Sequence, residues 1–195
     1  MRRQARYDEQ RKRIIFAAAK LFRKKSFSNA SIDEVAKSLS INKATIYYYF
    51  PSKADLLYEI MFSAIDEFLV EVSAIIATEA SHSEKLESMV KLHLKYEMAP
   101  GRLGGLAPFE MRNLPLKQRK LYNARRDEYE HIFRSVIQEG IRSNYFRVDD
   151  VEMTSRLILG VIHSVTTWFR TSGPLSEDEI GDKVVKFILR SIRSR

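Results

Sequence analysis

The sequence predicts an all-α chain of about nine helices, on three observations. No glycine occurs before Gly101, and Pro51 is the one proline before Pro100. Asn-Gly and Asp-Gly turns are absent, and no sustained two-residue alternation marks a strand. Apolar residues instead recur every three to four positions along most of the chain. With 195 residues, 45% of them apolar and 11% aromatic, the chain can bury a sizeable core.

Each element has its own signal. Ile14, Ala18, Leu21 and Phe22 share one face of a first helix. Ser31, followed three residues on by Glu34, reads as a capping box that opens a second helix lined by Ile32, Val35, Ala36 and Leu39. Asn42 suits the N-cap of a short third helix ending near Phe50, where Pro51 stops it. Ser52 then caps a fourth helix carrying Leu56, Leu57, Ile60, Met61 and Ala64. "APGRLGGLAP", 99–108, gathers three of the seven glycines and two of the five prolines, and reads as a break or hinge. Helical periodicity resumes over Leu116–Asn144, Val151–Phe169 and Ser176–Ile192.

Charge is unevenly spread. Residues 1–60 hold 13 Lys/Arg against 6 Asp/Glu, and the remainder 20 against 19, so +7 of the net +8 lies in the first third. That asymmetry predicts a polyanion-binding end. The absence of cysteine excludes a disulfide framework and thiolate metal sites. The apolar run 14–19 is too short for a signal peptide, and nothing approaches a membrane span, so a soluble, cytoplasmic, nucleoid-associated protein is expected.

"SINKATIYYYFPSK", 40–53, places three tyrosines and a phenylalanine on consecutive positions, which no single core can take. On a helical wheel Ile46 and Phe50 fall about 40° apart and define the buried side. Tyr48 falls nearly opposite, between Ala44 and Thr45, and Tyr47 and Tyr49 flank the buried side. Exposed tyrosines suit a phosphate backbone: the ring packs on sugar and the hydroxyl donates to a phosphate oxygen. Lys43 and Lys53 supply charge. The second helix, the turn 40–42 and the third helix form a helix-turn-helix, whose early third-helix residues Lys43, Ala44 and Thr45 are positioned to read base edges.

"RIIFAAAKLFRKKSFSNASIDEVAKSLSINKATIYYYFPSKADLL" resembles the DNA-binding domain of the TetR family of transcriptional repressors. The resemblance rests on Ala18–Phe22, Phe27, Ser31–Ile32, Val35–Ala36, Thr45, Tyr47, Phe50 and Lys53. It implies a DNA-binding set of Ser31, Asn42, Lys43, Ala44, Thr45, Tyr47, Tyr48, Tyr49 and Lys53. Tyr47, Tyr48 and Lys53 would hold phosphates, and Lys43–Thr45 would read sequence. Ser26, Ser40 and Ala44 stand where the family commonly has glycine, so Ser40 must hold a turn that usually takes Gly. The implied organisation is a DNA-binding domain over 1–52 and a ligand-binding and dimerisation domain over 53–195.

In the second half, "FEMRNLPLKQRKLYNARRDEYEHIFRSVIQEGIRSNYFRVDD" with "TTWFRTSGPLSEDEI" is similar to the TetR branch that represses fatty-acid degradation and leaves DNA on binding acyl-CoA. The implied partners are an operator duplex, a second copy of the chain and an acyl-CoA effector, with no cofactor. An acyl chain needs an apolar tunnel, for which Phe109, Leu114, Tyr122, Tyr129 and Trp168 are candidates. CoA phosphates need cations, for which Arg102, Arg112, Lys117, Arg119, Arg125, Arg126 and Arg170 are candidates. Gly160 and Ser164, one turn apart within the apolar Val151–Phe169 pattern, would let a partner helix approach closely.

No hydrolase triad signature, Walker loop or dinucleotide fingerprint is present, and His82, His93 and His163 show no metal-ligand spacing, so neither catalysis nor a metal site is expected. Two alternatives remain open. One is a TetR-type sensor of lipophilic drugs or aromatic metabolites without CoA, and the other a nonspecific architectural DNA-binding protein.

Overall fold

The computed structural model describes residues 2–98 and 107–193. The described residues form nine α-helices: α1 (Arg2–Lys25), α2 (Ile32–Ser38), α3 (Lys43–Tyr49), α4 (Lys53–Ile76), α5 (His82–Met98), α6 (Ala107–Glu110), α7 (Leu116–Arg142), α8 (Val151–Trp168) and α9 (Glu177–Ile192). A 3-10 turn, Met111–Asn113, follows α6. The described residues contain no strand beyond an isolated antiparallel bridge between Phe146 and Arg193. The chain is all-α, as the periodicity predicts.

The anticipated caps are present. Ser31 Oγ accepts the Glu34 N–H while the Glu34 carboxylate accepts the Ser31 N–H, so the capping box is complete. Asn42 Oδ1 accepts the Ala44 N–H at 2.8 Å, and Ser52 Oγ accepts the Asp55 N–H at 3.1 Å. The same reciprocal geometry opens α5 at Ser81 and Glu84, and α9 at Ser176 and Glu179. Helix α7 ends two residues before the expected Asn144. Asn144 itself is left-handed (φ 59°), which lets the Asn144 and Tyr145 N–H groups close onto the Ile141 and Gly140 carbonyls.

The chain divides into two compact units. Among the described residues, the first holds 2–64 and 107–123, and the second holds 65–98 and 124–193. In the first, Ile14, Ala18, Phe22, Val35, Ile46 and Leu57 form a buried centre beneath α1–α3 and the start of α4. Glu110, 5% exposed, is drawn into this unit by polar contacts: its carboxylate accepts the Phe27 N–H at 2.8 Å and the Asn113 amide at 2.6 Å.

In the second unit, α5 packs against both α8 and α9. Nine of its residues are buried, Leu86 through Met98, so its apolar positions run round most of the helix. That is why one-sided periodicity does not locate it. Phe133 and Ile137 of α7, Ile158 and Ile162 of α8, and Ile188 of α9 complete the core. Gly140 belongs to the same packing: a Cβ there would stand 2.2 Å from the Phe146 ring, so only glycine admits that ring.

Candidate functional site: a nucleic-acid interface and a polar core cluster

Helix α3 is anchored as the wheel predicts. Ile46 and Phe50 are buried, and Tyr47 and Tyr48 are exposed, Tyr48 by 71%. Tyr49 is half-buried because Tyr7 of α1 stacks on it, with ring centroids 4.6 Å apart. Tyr48 meets both Tyr49 (5.2 Å) and Tyr7 (6.1 Å) edge to face, which orients its ring while the outer part stays in solvent. The three tyrosines thus separate into one packed ring and two that project.

The turn that aims α3 is set by backbone geometry. Ser40 has φ 55°, and its N–H and that of Ile41 reach the Lys37 and Ala36 carbonyls at 3.1 and 3.0 Å. This is the left-handed closure that glycine usually provides at a helix end. Ser26, after α1, has φ 67°. Both serines carry the conformation their positions demand, at the steric cost of a Cβ.

The polar residues of this face already have partners. Lys43 is exposed and pairs with Asp33 of α2 at 2.8 Å, and the bond to Asp33 raises its pKa. Ala44 is exposed and Thr45 half-exposed, so the α3 start presents two small side chains between Lys43 and Tyr48. Ser31 and Asn42 spend side-chain oxygens on their caps. Lys53 is half-buried: its ammonium bonds the Phe27 carbonyl and lies 4.2 Å from the centre of the Phe27 ring. Burial lowers its pKa. Lys53 therefore has a structural contact that sequence spacing did not reveal, because Phe27 is 26 residues away.

The effector candidates are distributed between the two units. Phe109, Arg112, Leu114, Arg119 and Tyr122 lie in the first, and Arg125, Arg126, Tyr129, Trp168 and Arg170 in the second. Leu114, Tyr122 and Tyr129 are buried, while Phe109 and Trp168 are exposed. Arg112, Arg126 and Arg170 are exposed, and Arg119 and Arg125 partly so. Arg125 pairs with Asp66 and Glu128, each at 3.0 Å, and Arg170 donates to the Phe169 carbonyl at 2.8 Å. Arg102 and the hinge segment 99–106 lie outside the described residues.

Sequence spacing missed a polar cluster in the core of the second unit. Glu97 of α5 is one turn beyond His93, and His163 of α8 comes alongside both. His163 Nδ1 is 2.9 Å and His93 Nε2 3.4 Å from the same oxygen, Glu97 Oε1. The Tyr129 hydroxyl is 3.1 Å from His93 Nδ1. Burial is the largest influence on Glu97 and opposes its ionisation. The hydrogen bonds from His163 and His93 outweigh it and hold the carboxyl down at about 2. Burial also lowers the His93 pKa and raises that of Tyr129, so both rings stay neutral. The i,i+4 pair His93–Glu97 was the available signal. Its third member is 66 residues from Glu97, beyond any local motif.

Among the described residues, no helix is long and apolar enough to cross a membrane. Two family models match the chain: "Bacterial regulatory proteins, tetR family" over residues 14–60, and "Tetracyclin repressor-like, C-terminal domain" over 79–192. The fatty acid metabolism regulator protein of Bacillus subtilis (strain 168) is 24% identical over 184 residues, covering 93% of this chain and 95% of that one. The TetR family regulator PfmR of Thermus thermophilus superposes with a TM-score of 0.83 at 27% identity, over 91% of this chain and 97% of that one. AibR, solved in complex with isovaleryl coenzyme A and operator DNA, superposes with a TM-score of 0.82 at 22% identity, over 91% and 96% of the two chains. These relatives are regulators and not enzymes. With its N-terminal helix-turn-helix and its helical C-terminal part both matched, the chain belongs to the TetR family of bacterial transcriptional regulators.

Proposed function

We propose that this regulator binds a pseudo-palindromic operator as a homodimer and releases it on binding an acyl-CoA thioester, so controlling genes of fatty-acid or related lipid metabolism. The observation that carries the reading is the α3 face. Ile46 and Phe50 anchor the helix, and Lys43, Ala44, Thr45, Tyr47 and Tyr48 are left outward on a basic unit. A face with small residues at its start and tyrosines beside them suits a major groove flanked by phosphates.

Dimerisation is supported by α8. Met153, Leu157, Gly160, Ser164 and Trp168 form one exposed stripe along it, with Leu157 64% exposed. Phe187 of α9 is exposed as well, and Met153, Leu157, Val161 and Phe187 line a groove of about 810 Å3. Apolar side chains at this spacing favour a second copy related by a two-fold axis.

The acyl-CoA part is supported by the named roles of relatives: fatty-acid metabolism for the Bacillus protein, and an acyl-CoA bound to AibR. An inducer acts only through differential affinity for the two states. Moving a repressor from 1:99 to 99:1 requires about 5.5 kcal/mol of preference. Burial contributes roughly 0.8 kcal/mol per chain methylene, so potency should rise with acyl length until the tunnel is full. Arginine–phosphate contacts would supply the remainder, which makes free fatty acid a poor inducer.

The test is operator release in a gel-shift titration across acyl-CoA lengths, with CoA and free acids as controls. Equal release by a free acid and its CoA ester would favour a lipophile sensor without CoA. Equal affinity for operator and random duplex would favour an architectural protein.

A further inference from the structure

We propose that His93, Glu97 and His163 form a three-ligand site for a divalent transition-metal ion, best matched by Zn2+, with a fourth position open to water. Its three ligands are neither operator nor effector candidates, and Tyr129, an effector candidate, serves the site only as an outer partner. One ligand atom from each side chain lies within 4.8 Å of the other two. Two imidazoles from different helices aim at a single carboxylate oxygen, at 2.9 and 3.4 Å. Tetrahedral Zn2+ with bonds of about 2.0–2.1 Å holds its ligand atoms ~3.3 Å apart. Ordinary side-chain adjustment brings the three atoms to that spacing. Two imidazoles and one carboxylate with no thiolate are a borderline donor set, and three protein ligands with an open fourth position are a recurrent zinc arrangement.

The surroundings fit a metal site on three further counts. First, the His93 ring is held by its other nitrogen. Without metal, the Tyr129 hydroxyl donates to Nδ1 and Nε2–H donates to Glu97. With metal at Nε2, the ring takes the other tautomer and Nδ1–H donates to the Tyr129 oxygen. The hydroxyl serves both states at the same 3.1 Å contact, as the outer partner of a ligating histidine must. His163 changes tautomer in the same sense, so neither ring has to lose a net proton. Second, the Glu97 carboxylate is buried (5% exposed) with an imidazole from each of two helices on one oxygen, so the three donor atoms already converge away from bulk solvent. Third, the His93 and Glu97 side chains are sealed (9% and 4% exposed) whereas that of His163 is 38% exposed, which gives an ion an entry and a water the fourth position.

The experiment uses the full, tag-free chain, stripped with EDTA and re-equilibrated with Zn2+ or Co2+. Bound metal is measured by mass spectrometry of the digested protein, and Co2+ coordination by its visible d–d bands. One ion per chain is expected, with tetrahedral-type Co2+ bands. His163→Gln, at a partly exposed position that should fold normally by circular dichroism, should lose binding at least roughly tenfold. Tyr129→Phe should weaken it by roughly tenfold through the outer contact. His82→Gln and His131→Gln should bind as the parent does. Less than half an ion bound by the parent at saturating Zn2+, or parent-like binding by folded His163→Gln, overturns the proposal.

Discussion

At the residue scale, affinity and sequence choice should separate on α3 and its neighbour. Lys53 touches Phe27 with both its charge and its hydrogen bond, so Lys53→Ala has two expected effects. Loss of the cation–aromatic contact and of the carbonyl bond should lower stability by about 1–2 kcal/mol in urea unfolding. Loss of a proposed phosphate contact should weaken operator and random DNA about equally and reduce the salt slope by roughly one unit. An unchanged slope would leave Lys53 as a structural residue only. Thr45→Ala should leave the slope alone and narrow the gap between operator and random duplex. Lys43 adds a competition, since Asp33 holds it at 2.8 Å. Asp33→Asn should free the ammonium and remove a negative charge from the face, tightening binding to any duplex at low salt. A fluorescence-anisotropy titration of both duplexes at several salt concentrations measures all three variants.

At the scale of elements, the two serines at helix ends offer a direct test of backbone cost. A left-handed non-glycine residue costs roughly 1–2 kcal/mol, part of which glycine returns through its freer unfolded state. Ser40→Gly should therefore stabilise the protein by about 0.5–1 kcal/mol, and Ser26→Gly by a similar amount, in chemical unfolding. The reverse case is Gly140→Ala, which drives a methyl into the Phe146 ring and should cost roughly 1–3 kcal/mol. These positions also show what was legible in advance. Caps at Ser31, Asn42 and Ser52 involve partners two or three residues away, so a single stretch of sequence contains both halves of each interaction. The burial of Ile46 and Phe50 follows from helical geometry alone. Ser40 and Ser26 were visible as departures from glycine, and the structure supplies their φ angles. The packing of Tyr49 on Tyr7 and of Lys53 on Phe27, and the convergence of His163 on Glu97, join residues 26 to 66 positions apart. Only the folded path of the chain brings those groups together. Ser81 with Glu84 marked the start of α5 as clearly as Ser31 with Glu34 marks α2, and that signal was there to be read.

At the scale of the whole molecule, the proposed dimer and the fold of one chain make different demands on Gly160. Among the described residues a Cβ at Gly160 would meet nothing within 4 Å, so their packing in one copy does not require glycine there. Helix propensity alone favours almost any other residue by several tenths of a kcal/mol up to about 1 kcal/mol. Glycine at this position is explained if a partner helix crosses α8 between Leu157 and Ser164, where a side chain would hold the two backbones apart. Gly160→Arg separates the two demands. Within one chain the arginine extends into solvent, so helical content and the unfolding slope of the monomer should be kept. Across a two-fold axis the same substitution places two cations at the centre of an apolar contact, where unpaired charge costs several kcal/mol. Light scattering at micromolar concentration should report a dimer for the parent and a monomer for Gly160→Arg, with matching circular dichroism. Operator affinity should fall with it, because two recognition helices on one particle bind adjacent half-sites as a unit and single chains do not. Gly160→Ala is the control: a methyl group is small enough for a close crossing to accommodate with a slight shift, so its mass should remain that of the parent. If Gly160→Arg stays dimeric and binds operator normally, the interface lies elsewhere and the α8 stripe serves another contact.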